Sequence, residues 1–248
     1  MHKTLKIFMF ACLPMLALAG CNRNDKTIVV GASSTPHALI LNEAKDYVLE
    51  KGYSLDIRVF NDYVLPNYAL DNNELDANYF QHKPYLEEFN TSNNTNLVPV
   101  MDVHFEPMGI YAGYKKEISS YKAKDIVLVP SDKSNFDRAI ELLKNNGITD
   151  ATITQVEAQN IPLMLNDCAF AVINGNYALS AGVVDKCLIA ESRDSEIAKK
   201  LANVIAVKKG NENNEKTRVL LEALSQKNIE TYMDITFGNS VIYVGGTY

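Results

Sequence analysis

Arg138, in the stretch SNFDRAIELL, is a cation near the start of a helical pattern, and its planar fork can hold a carboxylate through two parallel hydrogen bonds. The competing use is a surface pair with Glu141 three residues on, contributing only about 0.2–0.5 kcal/mol. Asn174 directly follows the apolar run AFAVI and Asn203 directly precedes VIAV, so both can project amides from the ends of strands. Asn174-Gly175-Asn176 is also ordinary turn chemistry, a strong competitor for Asn176. Beyond the first twenty residues the histidines are His37, His82 and His104, and none stands at metal-pair spacing from another histidine or a cysteine. Nucleotide loops, C-x-x-C, H-E-x-x-H, G-x-S-x-G and EF-hand spacings are all missing, so no catalytic residue, metal or cofactor is expected. Polar and aromatic side chains at strand ends and helix starts instead suit a small-molecule pocket.

The elements that must position them alternate strand and helix. Thr27 to Ala32 is a β-branched run, followed by Thr35 as N-cap, Pro36 at the first helical position and a helix closing at Gly52. Leu55, Ile57 and Val59 alternate with polar residues as a strand does. The pattern continues with a helix over Val64 to Asn72, a strand over Leu75 to Tyr79, a helix from Pro84 and a strand over Leu97 to His104. After Glu106-Pro107 it restarts, with strands at Met108 to Ala112, Ile126 to Pro130, Ala151 to Val156, Cys168 to Ile173, Lys186 to Ala190 and Asn203 to Val207. A helix from about Ser134 to Asn145 and a mostly helical tail from Glu215 to Phe237 complete it. Such alternation predicts an α/β protein with parallel sheets covered on both faces. Two lobes follow, 27–107 with 208–248 and 108–207, the chain crossing near Glu106 to Ile110 and again near Asn203 to Lys209. Ligands of open α/β sheets sit beyond the carboxyl ends of the strands, so a cleft between the lobes is the expected site.

With 24 basic and 30 acidic residues the formal charge is -6 and no basic run appears, which argues against a nucleic-acid partner. Met1 to Lys6 is a short positive leader, and Ile7 to Ala19 is apolar but shorter than the roughly 20 residues a membrane span needs. Leu18-Ala19-Gly20-Cys21 resembles the bacterial lipobox. Residues 1–20 are therefore expected to be a signal peptide, Cys21 a lipidated N-terminus and 21–26 a polar tether to the membrane. Cys168 and Cys187 would then be the thiols of the folded body. Either they pair, adding about 3 kcal/mol, or they stay as two buried thiols in neighbouring strands.

Four stretches carry a wider resemblance: VGASSTPHALIL at Val30 to Leu41, VFNDYVLPNYALDNNELDANYFQHKPYLEEFN at Val59 to Asn90, LVPVMDVHFEPMGIY at Leu97 to Tyr111, and AVINGNYALSAG at Ala171 to Gly182. They resemble the NLPA-type methionine-binding lipoproteins, substrate-binding components of ABC importers. The resemblance implies a two-lobed type II periplasmic binding protein fold closing on an amino acid, usually L-methionine, with an importer permease as partner. It implies Arg138 as the carboxylate clamp, with Asn174 and Asn203 holding the ligand's polar end; the family usually has glycine where this chain has Asp137. The thioether half of the pocket would draw on Tyr63, Tyr79 and Phe80, though neighbours in a strand face opposite ways and one of the last two belongs to the core. His82 either hydrogen-bonds in the pocket or caps a helix. His104 ends a strand at the crossover, and Glu106 accepts from the ligand ammonium or from Arg138. The alternative is a sensor for another amino acid or a methionine peptide, or an enzyme on the same fold.

Overall fold

A computed structural model describes residues 26–193 and 195–247. The leader and Cys21 lie outside the described residues.

Two sheets form two lobes. The first holds β1 (Thr27–Ser33), β2 (Ser54–Phe60), β3 (Ala77–His82), β4 (Leu97–Phe105), β10 (Asn203–Lys208) and β11 (Ile242–Thr247), in the order β11-β4-β10-β3-β1-β2. The second holds β5 (Gly109–Ala112), β6 (Ile126–Pro130), β7 (Thr152–Val156), β8 (Phe170–Ile173) and β9 (Cys187–Ala190), in the order β7-β6-β8-β5-β9. Alternation of side chains puts Ile28, Val30 and Ala32 of β1 on one face, with Ile205 and Val207 of β10. There they pack on helices α1 (Leu39–Glu43), α2 (Lys45–Glu50), α8 (Glu215–Leu224) and α9 (Lys227–Phe237). Val29, Val204 and Ala206 face the other way, onto Leu70 of α3 (Leu65–Asp71) and Leu86 of α4 (Lys83–Asn93). In the second lobe Val127 and Val129 of β6 pack on Ala139, Leu142 and Leu143 of α5 (Lys133–Asn145). Leu128, Ala171 and Ile173 face Ile161, Leu165 and Tyr177, the last in α6 (Gly175–Ser180).

The α/β class and the two sheets agree with the expectation; the sheet directions do not. β1, β2 and β3 run parallel, as do β6, β7 and β8, but β10 is antiparallel to both β3 and β4, β11 is antiparallel to β4, and β5 is antiparallel to β8 and β9. A chain that leaves one lobe and returns must insert its returning strand, and a returning strand is free to run against its neighbours. The boundary moves for the same reason: β10, placed by sequence in the second lobe, sits inside the first sheet, so the return crossing lies between Ala190 and Asn203. Strand β3 starts and ends later than expected and finishes at His82. Thr35 has extended backbone (φ -142°, ψ 134°) ahead of Pro36, but no side-chain capping bond forms there. Gly52 and Gly147 stop their helices with φ of +79° and +75°, a region where glycine alone is unstrained. Cys168 and Cys187 are free thiols, bonded to the carbonyls of Leu165 and Ile189. Of the two alternatives the unpaired one holds, with Cys168 buried but Cys187 only half-buried, and β5 lies between β8 and β9.

Candidate functional site

The ends of β3, β4 and β8 and the starts of α5 and α6 converge between the lobes. They frame a recess lined by Tyr63, Phe80, Gln81, His82, Tyr85, Glu106, Asn135, Arg138, Asn174, Gly175, Asn176 and Asn203.

Asn135 sits at its centre. Asp132 caps α5 by accepting the Asn135 N–H at 3.0 Å and also accepts from its amide at 2.9 Å, which fixes the side chain. The Asn135 carbonyl then accepts from Asn174 at 2.8 Å and from His82 Nε2 at 3.0 Å, joining both lobes. His82 does both things its position allowed, because its Nδ1 accepts the Tyr85 N–H at 3.1 Å and so caps α4. With Nδ1 accepting and Nε2 donating the ring is neutral. Burial first, and the Arg138 charge second, lower its pKa to about 4.

Three residues after Asn135, Arg138 lies on the same face of α5. Its Nε and Nη2 grip Glu191 at 2.7 and 2.5 Å, and Nη2 also donates to the Glu106 carbonyl at 2.9 Å. Glu191 in turn accepts the Met108 N–H at 2.8 Å. Arg138 thus ties together the two segments that cross between lobes. Among the described residues no hydrogen bond uses Nη1. The surface pair with Glu141 does not form; the carboxylate that orients the fork is Glu191.

Among the described residues Glu106 is the only acidic side chain lining the recess. Its Oε1 accepts from His104 Nε2 at 2.7 Å and lies 3.4 Å from His37 Nε2. Burial pushes its pKa up to about 7, against the opposing pull of His37, Arg138 and the Asn176 backbone N–H. Gly175 is what lets α6 lie against it: a Cβ there would meet Glu106 Cβ and Oε2 at 2.9 Å. Behind it His104 accepts from the Tyr79 hydroxyl, while His37 accepts from Ser33 at 2.6 Å and donates to Asn203 at 3.1 Å. Burial lowers the pKa of His37 to about 4 and of His104 to about 3, so both are neutral. His37, His104 and Glu106 are metal-ligating types whose ligand atoms fall within 4.8 Å of one another. Every ring nitrogen already has a protein partner, however, and the cluster closes as a hydrogen-bond network.

The remaining wall is aromatic. Tyr63 stacks near Phe80 at 5.8 Å and Tyr85 at 5.6 Å, and its hydroxyl donates to the Asn176 carbonyl at 2.5 Å. Two buried amide atoms, Asn174 Oδ1 and Asn176 Nδ2, have no hydrogen-bond partner among the described residues. A buried polar group in that condition costs about 1–3 kcal/mol, and here an acceptor and a donor belong to residues lining the same recess.

Of the residues singled out from sequence, Tyr63, Phe80, His82, Glu106, Arg138, Asn174 and Asn203 line this recess together. Tyr79 and His104 do not. Strand alternation turns Tyr79 away from Phe80 into the core, and His104 lies behind Glu106, both fully buried. Asn135, Gln81, Tyr85 and Glu191 went unnoticed. The i, i+3 spacing of Asn135 and Arg138 was the signal for the first.

The model of the NlpA lipoprotein family matches residues 28–151 and 148–244. The chain belongs to the NlpA lipoprotein family. The methionine-binding lipoprotein MetQ of Bacillus subtilis is 32% identical over 271 residues, covering 96% of this chain and 98% of the relative. Among solved structures, an ABC transporter periplasmic substrate-binding protein from Coxiella burnetii superposes with a TM-score of 0.81 at 28% identity, covering 87% of this chain and 99% of that one. A nutrient-binding protein from Burkholderia cenocepacia bound to methionine gives a TM-score of 0.81 at 28% identity, with 87% and 99% coverage. These two solved structures share the two-sheet α/β architecture of this chain.

Proposed function

We propose that this NlpA-family lipoprotein captures free L-methionine between its lobes and delivers it to an ABC importer, held to the membrane by lipid on Cys21 at the end of a 21–26 tether. The observation that carries the reading is the pair of unpartnered buried atoms, Asn174 Oδ1 and Asn176 Nδ2, beside one cation and one anion in a closed recess. An amino-acid head needs that set. Arg138 Nη1 and the Asn176 and Asn203 amides donate to the carboxylate; Glu106 and Asn174 Oδ1 accept from the ammonium. The side chain then runs to Phe80, Tyr63 and Tyr85, where a thioether gains about 0.3–1.5 kcal/mol per aromatic contact.

Support for binding without turnover comes from the relatives, described as a methionine-binding lipoprotein and a substrate-binding protein. Delivery to an importer rests on the Coxiella burnetii relative's description as an ABC transporter component, and methionine on the names of the Bacillus subtilis and Burkholderia cenocepacia relatives. Mass spectrometry of whatever is released when the purified protein is denatured tests the ligand. Methionine is expected. Another amino acid would overturn the ligand, and added methionine returning at a changed mass would favour an enzyme.

A further inference from the structure

Helix α5 begins with three backbone N–H groups that have no partner within the helix, those of Lys133, Ser134 and Asn135. Asp132, the residue before the helix, satisfies that of Asn135. The other two are satisfied from the opposite lobe. Glu88, midway along α4, accepts the Ser134 N–H at 2.8 Å with one carboxylate oxygen and the Lys133 N–H at 3.3 Å with the other. Glu88 does not line the recess, and the Lys133 ammonium is turned along its own helix to Asp137.

We propose that Glu88 is the latch between the lobes, a positioning residue that sets ligand affinity without touching the ligand. The role rests on the methionine reading above. A carboxylate on the N-terminus of a 13-residue helix is favoured by both the orphan N–H groups and the helix dipole. Its contact spans the lobes, so it exists when they are closed and is exchanged for water when they part. A contact made in one state alone shifts the equilibrium toward that state by its differential free energy. The helix it holds is the one that brings Asn135 and Arg138 to the recess, so closing the latch and assembling the site are one movement.

Titration of the whole protein with L-methionine tests this, alongside Glu88→Ala, Glu88→Gln and the control Glu87→Ala at the neighbouring exposed position. Glu88→Ala should weaken binding about tenfold, the size of a lost charge-assisted contact. The loss should appear in the dissociation rate, read by tyrosine fluorescence, and should exceed any fall in ligand-free thermal stability. Glu88→Gln should fall between, and Glu87→Ala should match wild type. Hydrogen exchange at the Lys133 and Ser134 amides, faster in Glu88→Ala, reads the latch without ligand. Unchanged dissociation, unchanged amide exchange, or a fall in ligand-free stability as large as the fall in affinity would overturn the proposal. If wild type does not bind methionine the ligand reading falls, and the exchange measurement alone decides the latch.

Discussion

Arg138 carries two duties, and they set what its removal does. It holds the carboxylate of Glu191, with both side chains nearly buried, and it lines the recess. Arg138→Ala should therefore cost about 2–5 kcal/mol of methionine binding and also destabilise the ligand-free protein, because Glu191 is left buried without its partner. Adding Glu191→Ala should restore much of the stability and none of the binding. A denaturant series on the two variants checks this, and full recovery of binding in the double variant would return Arg138 to a purely structural role. Glu106 sets the pH dependence. Its carboxyl, raised to about 7 by burial, must be ionised to accept from an ammonium, so protons compete with ligand. Methionine affinity should rise from pH 6 to pH 8 and then level, since His37 and His104 are neutral throughout that range. Calorimetry in buffers of different ionisation enthalpy should detect a proton released on binding near pH 7; identical heats would contradict it. Arg138, Asn174 and Asn203 were readable in the sequence through the family resemblance, on top of their places at element ends. Glu191 was not, because an ion pair 53 residues apart leaves no local spacing to read.

The β-α alternation was open to reading because burial on two faces writes itself as apolar runs such as AFAVI and VIAV. Strand direction was not, for the same run serves a parallel or an antiparallel neighbour: all but the last residue of β10 are buried whichever way it runs. β11 was missed since its Gly245-Gly246 looks like a turn, and it pairs only with β4 at the sheet edge. The sharpest element-level dependence is the register of α6 against the β4–β5 crossing. Gly175 permits it, and Gly175→Ala should push α6 away from Glu106 and turn Asn174 and Asn176 out of alignment. Affinity for methionine should drop by more than tenfold while circular dichroism stays that of the native α/β fold. Binding at wild-type strength would mean the first turn of α6 is not what places the asparagines.

The whole molecule places three neutral histidines in its interior at the junction of the lobes. His37 and His82 titrate at about 4 and His104 at about 3, whereas in the unfolded chain each takes up a proton near 6.5. As pH falls from 6.5 toward 4, the unfolded state gains protons that the native state refuses, so stability falls at about 1.4 kcal/mol per proton and pH unit. Glu106 works in the opposite sense, because its folded pKa is raised and the native state takes its proton first. Asp132, also raised by burial, acts in the same sense as Glu106, and two carboxyls against three histidines leave acid destabilising overall. The thermal midpoint of the ligand-free protein should drop steeply between pH 6.5 and 4.5 in scanning calorimetry, and a flat profile would mean that the histidines are charged. The central claim is that the closed recess recognises a whole zwitterion through Arg138 and Glu106 at one end and aromatic rings at the other. Calorimetric titration of the dialysed protein with L-methionine, N-acetylmethionine and methionine amide tests it most directly. The account predicts one methionine bound per chain and a loss of at least tenfold for each blocked analogue, since each removes the ligand charge that faces Arg138 or Glu106; equal affinity for methionine and either analogue would contradict it.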